Sequence, residues 1–295
     1  MERKIAEFIT HVRNERRLSE HTCQAYQRDI EMFCRYTENK LTAWSAVTVH
    51  EVRQFIAYRH RQGMGGKSIQ RLLSSLRTFY QYLLRENFVE INPVIGIKAP
   101  KSKSKLPPVL DVDQMNRLLS VSEESSLAVR DLAIMELLYS SGLRLSELVA
   151  LDITDVDLID LVVRVLGKGQ KIRIVPVGRH AHQAINKWLT VRSLFTGEQE
   201  CALFTSQRGT RLSHRSVQAR LKRWGINQEI NGTVHPHRLR HSFASHLLES
   251  CGDIRAVQEL LGHASISTTQ IYTHLDFQHL AGVYDMAHPR AKKKK

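Results

Sequence analysis

Apolar residues recur at helical spacing through the first hundred residues of the chain, with short polar breaks between the runs. An apolar side chain appears every three to four positions from Ile5 to Val12, which is typical of the buried face of a helix. Ser19 and Thr48 are good N-cap residues, and each precedes another run with the same period. A fourth run, IQRLLSSLRTFYQYLLREN, follows the glycines of QGMGGKS. The pattern predicts a helical domain over residues 1–97.

A lysine-rich stretch separates this domain from the rest of the chain. Residues 98–108, KAPKSKSKLPP, contain proline and serine but no hydrophobic period, so we expect an extended interdomain linker. The whole chain has 295 residues, which is more than most single hydrophobic cores organise. We therefore expect a second domain over residues 109–295.

The second domain mixes two kinds of pattern. A helix capped at Asp111 or Asp113 begins it, and a longer helical run breaks near Ser141–Gly142. The segment LVVRVLGKGQKIRIVPV has β-branched runs on both sides of a glycine-containing turn, which predicts a β-hairpin. Helical spacing returns from Ala181 onward. The sequence thus predicts a mainly α-helical protein with a small β-sheet.

The charge balance indicates a polyanionic partner. The chain carries 43 Lys+Arg against 29 Asp+Glu, a formal net charge of +14. Residues 1–105 hold 19 Lys+Arg and 10 Asp+Glu, a net of +9, and the remainder holds 24 and 19, a net of +5. Nucleic acid is the favoured partner because neutralising phosphates releases counterions, although an anionic membrane surface would also suit basic charge.

Two further features limit the function classes. No stretch approaches the roughly 18 apolar residues that a membrane span needs, and the charged N-terminus lacks an apolar signal core, so we expect a cytoplasmic protein. The four cysteines are scattered without a CxxC, which argues against a zinc site or a disulfide framework and favours small buried side chains. The four are Cys23, Cys34, Cys201 and Cys251.

Groups that handle protons and phosphate are concentrated between residues 235 and 272. His237 and His241 have the i, i+4 spacing of a metal site, but Arg238 stands where a zinc protease needs glutamate. Arg238 and Arg240 also disfavour a cation. Arginine instead offers a planar fork of donors that matches phosphate oxygens. Arginine, lysine and histidine with a hydroxyl nucleophile suffice for phosphoryl transfer, so we expect neither metal nor cofactor.

Three separated motifs resemble those of the tyrosine recombinase (phage integrase) family. The stretch from HPHRLRHSFASH through LLGH to TQIYTHL is similar to the family's box II, HxxR…GH…Y, and SSGLRLSELVALDITDVDL is similar to box I. The turn GKGQK lies where the family keeps a catalytic lysine. The resemblance covers essentially the whole chain, and it is closest to the bacterial Xer recombinases. The tail THLDFQHLAGVYDMAHPRAK favours their XerC branch over the paralogous XerD branch.

The resemblance implies a role for each of six residues. Arg144 and Arg240 would bind the scissile phosphate. His237 would donate a hydrogen bond or carry a proton, and His263 would donate a hydrogen bond. Lys168 would protonate the leaving 5′-oxygen, and Tyr272 would form a 3′-phosphotyrosyl bond.

Each of these residues also has a simpler structural explanation. Arg144 could only pair with Glu147, three residues on, and the HRLRH segment could be a solvated helix start. His263 could stabilise a helix C-terminus. Lys168 could be an exposed turn lysine, with Lys171 as the alternative. Tyr272 could be an aromatic residue of the core, with Tyr284 as the alternative.

The resemblance also implies an assembly. A helical, SAM-like core-binding domain and a catalytic domain would form a C-shaped clamp around double-stranded DNA at a dif-like site. Two XerC-like and two XerD-like subunits would make a tetramer, regulated by an FtsK-type DNA translocase. An apolar stripe in the tail would dock on the neighbouring subunit, or else on its own domain; it comprises Phe277, Leu280, Val283 and Tyr284.

Two other functions fit the same residues. A type IB topoisomerase uses a similar set of arginine, lysine and tyrosine, and it would relax any supercoiled DNA as a monomer. A DNA-binding regulator could keep the fold and lack the chemistry, although the full set of six matching residues argues against that reading.

Overall fold

The computed structural model describes residues 1–16, 18–37, 41–100, 109–122, 124–167, 172–197 and 200–251. The chain divides into two compact units, Met1–Lys105 and Leu106–Lys295. Each unit has a hydrophobic core of its own.

The described part of the first unit contains four α-helices and a short 3-10 turn at Trp44–Ala46. The helices are α1 Glu2–Asn14, α2 Glu20–Thr37, α3 Val49–Arg61 and α4 Gly66–Arg85. The predicted caps explain where two of them begin. Thr48 forms a capping box with Glu51 at the start of α3. Ser19 precedes α2 and accepts a hydrogen bond from the backbone N–H of Thr22.

The apolar faces of these helices meet in a core rich in aromatic rings. Phe79 on α4 packs edge-on against both Phe8 and Trp44, at ring-centroid distances of 5.2 and 4.8 Å. The buried carboxylate of Asp29 joins α2 to α4, because it accepts two hydrogen bonds from Arg71. The helical prediction for this domain is confirmed.

The described part of the second unit consists of six helices and one three-stranded sheet. The helices are α5 Val112–Leu119, α6 Ser126–Ser141, α7 Leu145–Ala150, α8 Arg179–Arg192, α9 His214–Asn227 and α10 Pro236–Cys251. Asp111, rather than Asp113, caps α5 by accepting a hydrogen bond from Gln114 N at 2.7 Å. Helix α6 is buried along most of its length and packs against α8 and α10, so it forms the centre of this unit.

The sheet is antiparallel, with strand order β1–β2–β3. The strands are β1 Val156–Asp157, β2 Val162–Leu166 and β3 Ile172–Pro176. The register pairs Val163 with Val175 and Leu166 with Ile172. Val163 and Val175 face the core, whereas Ile172 is exposed. The predicted antiparallel pair of strands is confirmed, and residues 168–171 between them lie outside the described residues.

Two details of the second unit differ from the sequence prediction. Strand β1 has no counterpart among the predicted elements. Helices do not fill the region after Ala181, because Ala202 and Thr205 form isolated β-bridges with Asp152 and Arg211. These elements are too short to show a hydrophobic period. Their positions are instead set by backbone pairing, which is local for β1 and Thr205 and spans 50 residues for Ala202 and Asp152.

The cysteines also depart from expectation at one position. Cys23 and Cys34 are buried, but Cys201 is exposed, with Arg211 Nη2 3.8 Å from its sulfur. The structure does not describe the side chain of Cys251. Among the described residues, no helix is long and apolar enough to cross a membrane.

Candidate active site

Arg144 stands where the chain leaves α6 and enters α7. Helix α6 ends at Gly142, which adopts the left-handed conformation (φ 57°, ψ 30°) that glycine tolerates best. The chain then turns into the short helix α7, with Arg144 in extended conformation at its N-cap. This turn holds the backbone of Arg144 at the end of the most buried helix in the unit, with its side chain about one-third exposed.

Glu147 binds Arg144 at two points. Its Oε1 accepts a hydrogen bond from Arg144 Nη1 at 2.8 Å, and its Oε2 accepts one from the Arg144 backbone N–H at 2.7 Å. The pairing that the sequence suggested is therefore present. It fixes the arginine at its head group and at its backbone.

Arg173 completes this contact from the sheet, and sequence reasoning missed it. Its Nη1 and Nη2 donate to the two carboxylate oxygens of Glu147 at 2.7 and 2.9 Å. The apolar–polar alternation of Ile172, Arg173 and Ile174 would place Arg173 on the solvent face, whereas the structure buries it and exposes both isoleucines. Burial raises the pKa of Glu147, but hydrogen bonds from Arg173 and the Arg144 backbone outweigh burial and lower it to about 2.

Arg240 approaches the same cluster from α10. Its Nη1 donates to the carbonyl oxygen of Gly142, two residues before Arg144. Burial and the neighbouring charge of Arg144 lower the pKa of Arg240 to about 10, and Glu147 opposes this shift. Arg240 stays protonated at neutral pH. The structure thus brings together Arg144 and Arg240, which lie far apart in the sequence.

His237 lies in the first turn of α10, three residues before Arg240. Its ring is exposed and sits 6.4 Å from the ring of His235, measured between centroids. Arg238, which we did not assign to the site, is buried and donates to the Asn231 carbonyl at 2.8 Å. Its contact braces the loop that leads into α10.

Three of the six predicted site residues lie outside the described residues. They are Lys168, His263 and Tyr272. The apolar stripe of the tail also lies outside the described residues. Their roles stay predictions.

The described cluster is suited to an anion. Three arginines surround one glutamate, which leaves two net positive charges on Arg144, Glu147, Arg173 and Arg240. The scissile phosphate of DNA carries one negative charge, and more charge builds on its oxygens during transfer. Within the described ranges, no three His, Cys, Asp or Glu side chains cluster as metal ligands would.

Comparison with known sequence families identifies the two units. Residues 108–279 match the family described as "Phage integrase family". Residues 5–87 match "Phage integrase, N-terminal SAM-like domain". This chain belongs to the phage integrase family of tyrosine recombinases.

Curated relatives narrow the assignment within the family. The chain is 54% identical over 291 residues to "Tyrosine recombinase XerC" of Alcanivorax borkumensis, covering 98% of this chain and 94% of the relative. It is 51% identical over 292 residues to the XerC protein of Escherichia coli O127:H6, covering 99% and 98%. The chain is accordingly a XerC-like, site-specific DNA recombinase that uses a tyrosine nucleophile.

Solved structures share the fold. XerA recombinase is 29% identical, with a TM-score of 0.51 and coverage of 98% of this chain and 99% of the other. XerH recombinase bound to a palindromic difH substrate is 22% identical, with a TM-score of 0.73 and coverage of 96% and 83%. A lambda integrase dimer bound to a core site is 18% identical, with a TM-score of 0.70 and coverage of 92% and 99%. The mainly helical, two-domain fold is thereby confirmed.

Proposed function

We propose that this recombinase acts with a XerD-like partner at a dif-type site to convert chromosome dimers to monomers before cell division. Support comes from the name shared by its relatives at 51–54% identity over nearly the whole chain. The difH substrate of the structurally similar XerH points to the same class of site. In this proposal two XerC-like and two XerD-like subunits assemble on two sites, and an FtsK-type translocase regulates strand exchange.

The observation that carries the chemistry is the convergence of Arg144 and Arg240 beside one buried glutamate. Both guanidinium groups would contact the non-bridging oxygens of the scissile phosphate and neutralise the charge that develops there. His237, on the same helix as Arg240, and His263 would donate further hydrogen bonds. These contacts would lower the barrier by electrostatic stabilisation without a metal ion.

Tyr272 would supply the nucleophile. Its phenol loses a proton to solvent, because the neighbouring arginines favour the phenolate, and the phenolate oxygen attacks phosphorus. A phosphorus–oxygen bond to tyrosine forms, and the bond to the 5′-oxygen breaks. Lys168 gives its proton to that leaving oxygen, which becomes a 5′-hydroxyl. The phosphotyrosyl ester keeps the energy of the broken bond. A 5′-hydroxyl from another strand can therefore reverse the step without ATP.

Covalent trapping tests this function. A dif-type duplex nicked beside the scissile phosphate loses its short 5′-hydroxyl fragment after cleavage, so the protein stays attached and migrates as an adduct on a denaturing gel. We expect the native protein to form the adduct and Tyr272→Phe to form none. DNA binding should persist in the variant, because the change removes a hydroxyl and no charge.

Controls separate the competing functions. Tyr284→Phe should still form the adduct, since Tyr284 is the rival tyrosine and lies outside the proposed chemistry. With a purified XerD-type partner, a supercoiled plasmid carrying two dif sites should resolve into two circles. Relaxation of plasmids without any such site would support a topoisomerase instead. Site binding without an adduct would support a regulator.

A further inference from the structure

Arg173 is an inward-facing charge on a strand that otherwise faces the core with valine. Arg173 is 8% exposed, whereas its neighbours Ile172 and Ile174 are 66% and 43% exposed. Burying a guanidinium is costly unless a partner compensates its charge. Both of its terminal nitrogens are engaged by Glu147. Arg173 therefore acts on its surroundings through that carboxylate.

Glu147 is shared between two arginines of unequal exposure. The side chains of Arg173 and Glu147 are 9% and 4% exposed, whereas that of Arg144 is 34% exposed. The inner arginine makes a two-point contact with the carboxylate, and the outer arginine reaches the same carboxylate from the surface side. One buried pair thus supports one accessible guanidinium.

This arrangement matters for the charge that an anion would meet. If Glu147 had Arg144 as its sole partner, its negative charge would cancel the charge of Arg144. Arg173 compensates Glu147 from the inside, so the positive charges of Arg144 and Arg240 remain in excess at the surface. Arg173 also lies in β3, five residues after Lys168 in the sequence. Its contact ties that strand to the N-terminus of α7.

We propose that Arg173 is a positioning residue of the recombinase, which holds Glu147 so that Arg144 keeps its geometry and its charge for the phosphate. The proposal rests on the proposed function of Arg144 as a phosphate-binding residue. Arg173 itself does not touch the DNA in this assignment.

Charge compensation can be tested in the full-length protein with a double variant. Arg173→Gln leaves the charge of Glu147 opposed by Arg144 alone, so single-turnover cleavage of the nicked duplex at saturating protein should slow at least about tenfold. The protein concentration for half-maximal DNA binding should change much less. Adding Glu147→Gln to Arg173→Gln removes the uncompensated carboxylate, and we expect the double variant to cleave faster than Arg173→Gln. Arg173→Lys should fall between Arg173→Gln and the native protein.

Arg192→Gln is the matched structural control. Arg192 is also 8% exposed, but it donates to the Ala202 carbonyl, and we assign it no part in the site. It should lower the melting temperature without slowing cleavage at saturation. Native cleavage by a folded Arg173→Gln protein would overturn the proposal. So would slow cleavage that Glu147→Gln does not relieve, because the role of Arg173 would then be structural only.

A second measurement does not depend on catalysis. Inorganic sulfate should raise the melting temperature of the native protein and raise that of Arg173→Gln less. In the double variant, the rise in melting temperature should be larger again than in Arg173→Gln. If the native protein forms no DNA adduct, the proposed function fails, and the sulfate series still decides the role of Arg173. An equal sulfate effect in all three proteins would overturn that role.

Discussion

Single buried charges hold distant parts of the second unit together. Arg130 joins α6 to the bridge region, because it donates to the Thr205 carbonyl at 2.9 Å. Arg238 does the same for the loop before α10 through Asn231. Glu147, on α7, differs from these because it binds two arginines, Arg144 at the N-cap of its own helix and Arg173 on β3. At the scale of the residue, the site is built by ionic contacts between elements.

The pH dependence of stability should report the state of Glu147. Its pKa in the folded protein, about 2, lies below the ordinary value of 4.5, so the folded state binds this proton less readily than the unfolded chain. The resulting stabilisation, about 3 kcal/mol, is complete above pH 4.5 and is lost as the pH falls towards 2. Glu147→Gln should melt below the native protein at pH 7. The difference should narrow between pH 4.5 and 3, and a constant difference would contradict the assignment.

The residues of the site were not equally predictable. Motif spacing selects Arg144, His237 and Arg240 as candidates, because it records which residue types the proposed chemistry needs. Motif spacing cannot show that Arg238 is buried. Successive residues of a helix point in different directions around its axis, and the motif does not show which direction faces the core. Apolar–polar alternation in β3 would place Arg173 outward, and its partner Glu147 is 26 residues away. Such a pairing depends on tertiary structure.

At the scale of the element, local chemistry decides where helices begin and end. The caps at Thr48 and Asp111 and the left-handed Gly142 act within a few residues, so the sequence predicts them. The two-residue strand β1 pairs with residues five to seven positions on, in β2, and the bridge at Ala202 pairs with Asp152, 50 residues earlier. Each of these elements spans only one or two residues, which is too short to show a hydrophobic period.

Gly225 tests whether a close approach outweighs helix propensity. It lies in α9, and a Cβ built there would come within 2.6 Å of Val234 Cγ2 and 2.9 Å of Val234 Cβ. Alanine is the better helix former by about 1 kcal/mol, yet we expect Gly225→Ala to destabilise the protein by about 1–3 kcal/mol. Val234 leads into α10, so cleavage should also slow.

Gly197→Ala is the matched control for this prediction, because a Cβ at Gly197 would meet nothing within 4 Å. Thermal melting of both variants gives the comparison. Equal melting temperatures for the two variants would mean that the chain relaxes around the added methyl group of Gly225→Ala.

At the scale of the whole molecule, the two units have separate hydrophobic cores. Among the described residues, the core of the first unit extends from Ile5 to Ile97, and that of the second from Leu110 to Leu247. Binary patterning predicts this division, because the hydrophobic period stops between the two sets. The C-shaped clamp and the docking of the tail stay predictions. They depend on how separate parts of the chain meet, and hydrophobic periodicity carries no information about that.

Limited proteolysis tests whether residues 98–108 join two independent folding units. Trypsin cuts after lysine, and this stretch contains Lys98, Lys101, Lys103 and Lys105 without a hydrophobic period. We expect the earliest cuts there, giving two fragments that each melt cooperatively because each keeps its whole core. Saturating the protein with a dif-type duplex should slow cutting, since the lysines would lie against phosphates. The first cuts falling inside α4 or α6, or a fragment that loses its cooperative melting, would show that the two cores depend on each other.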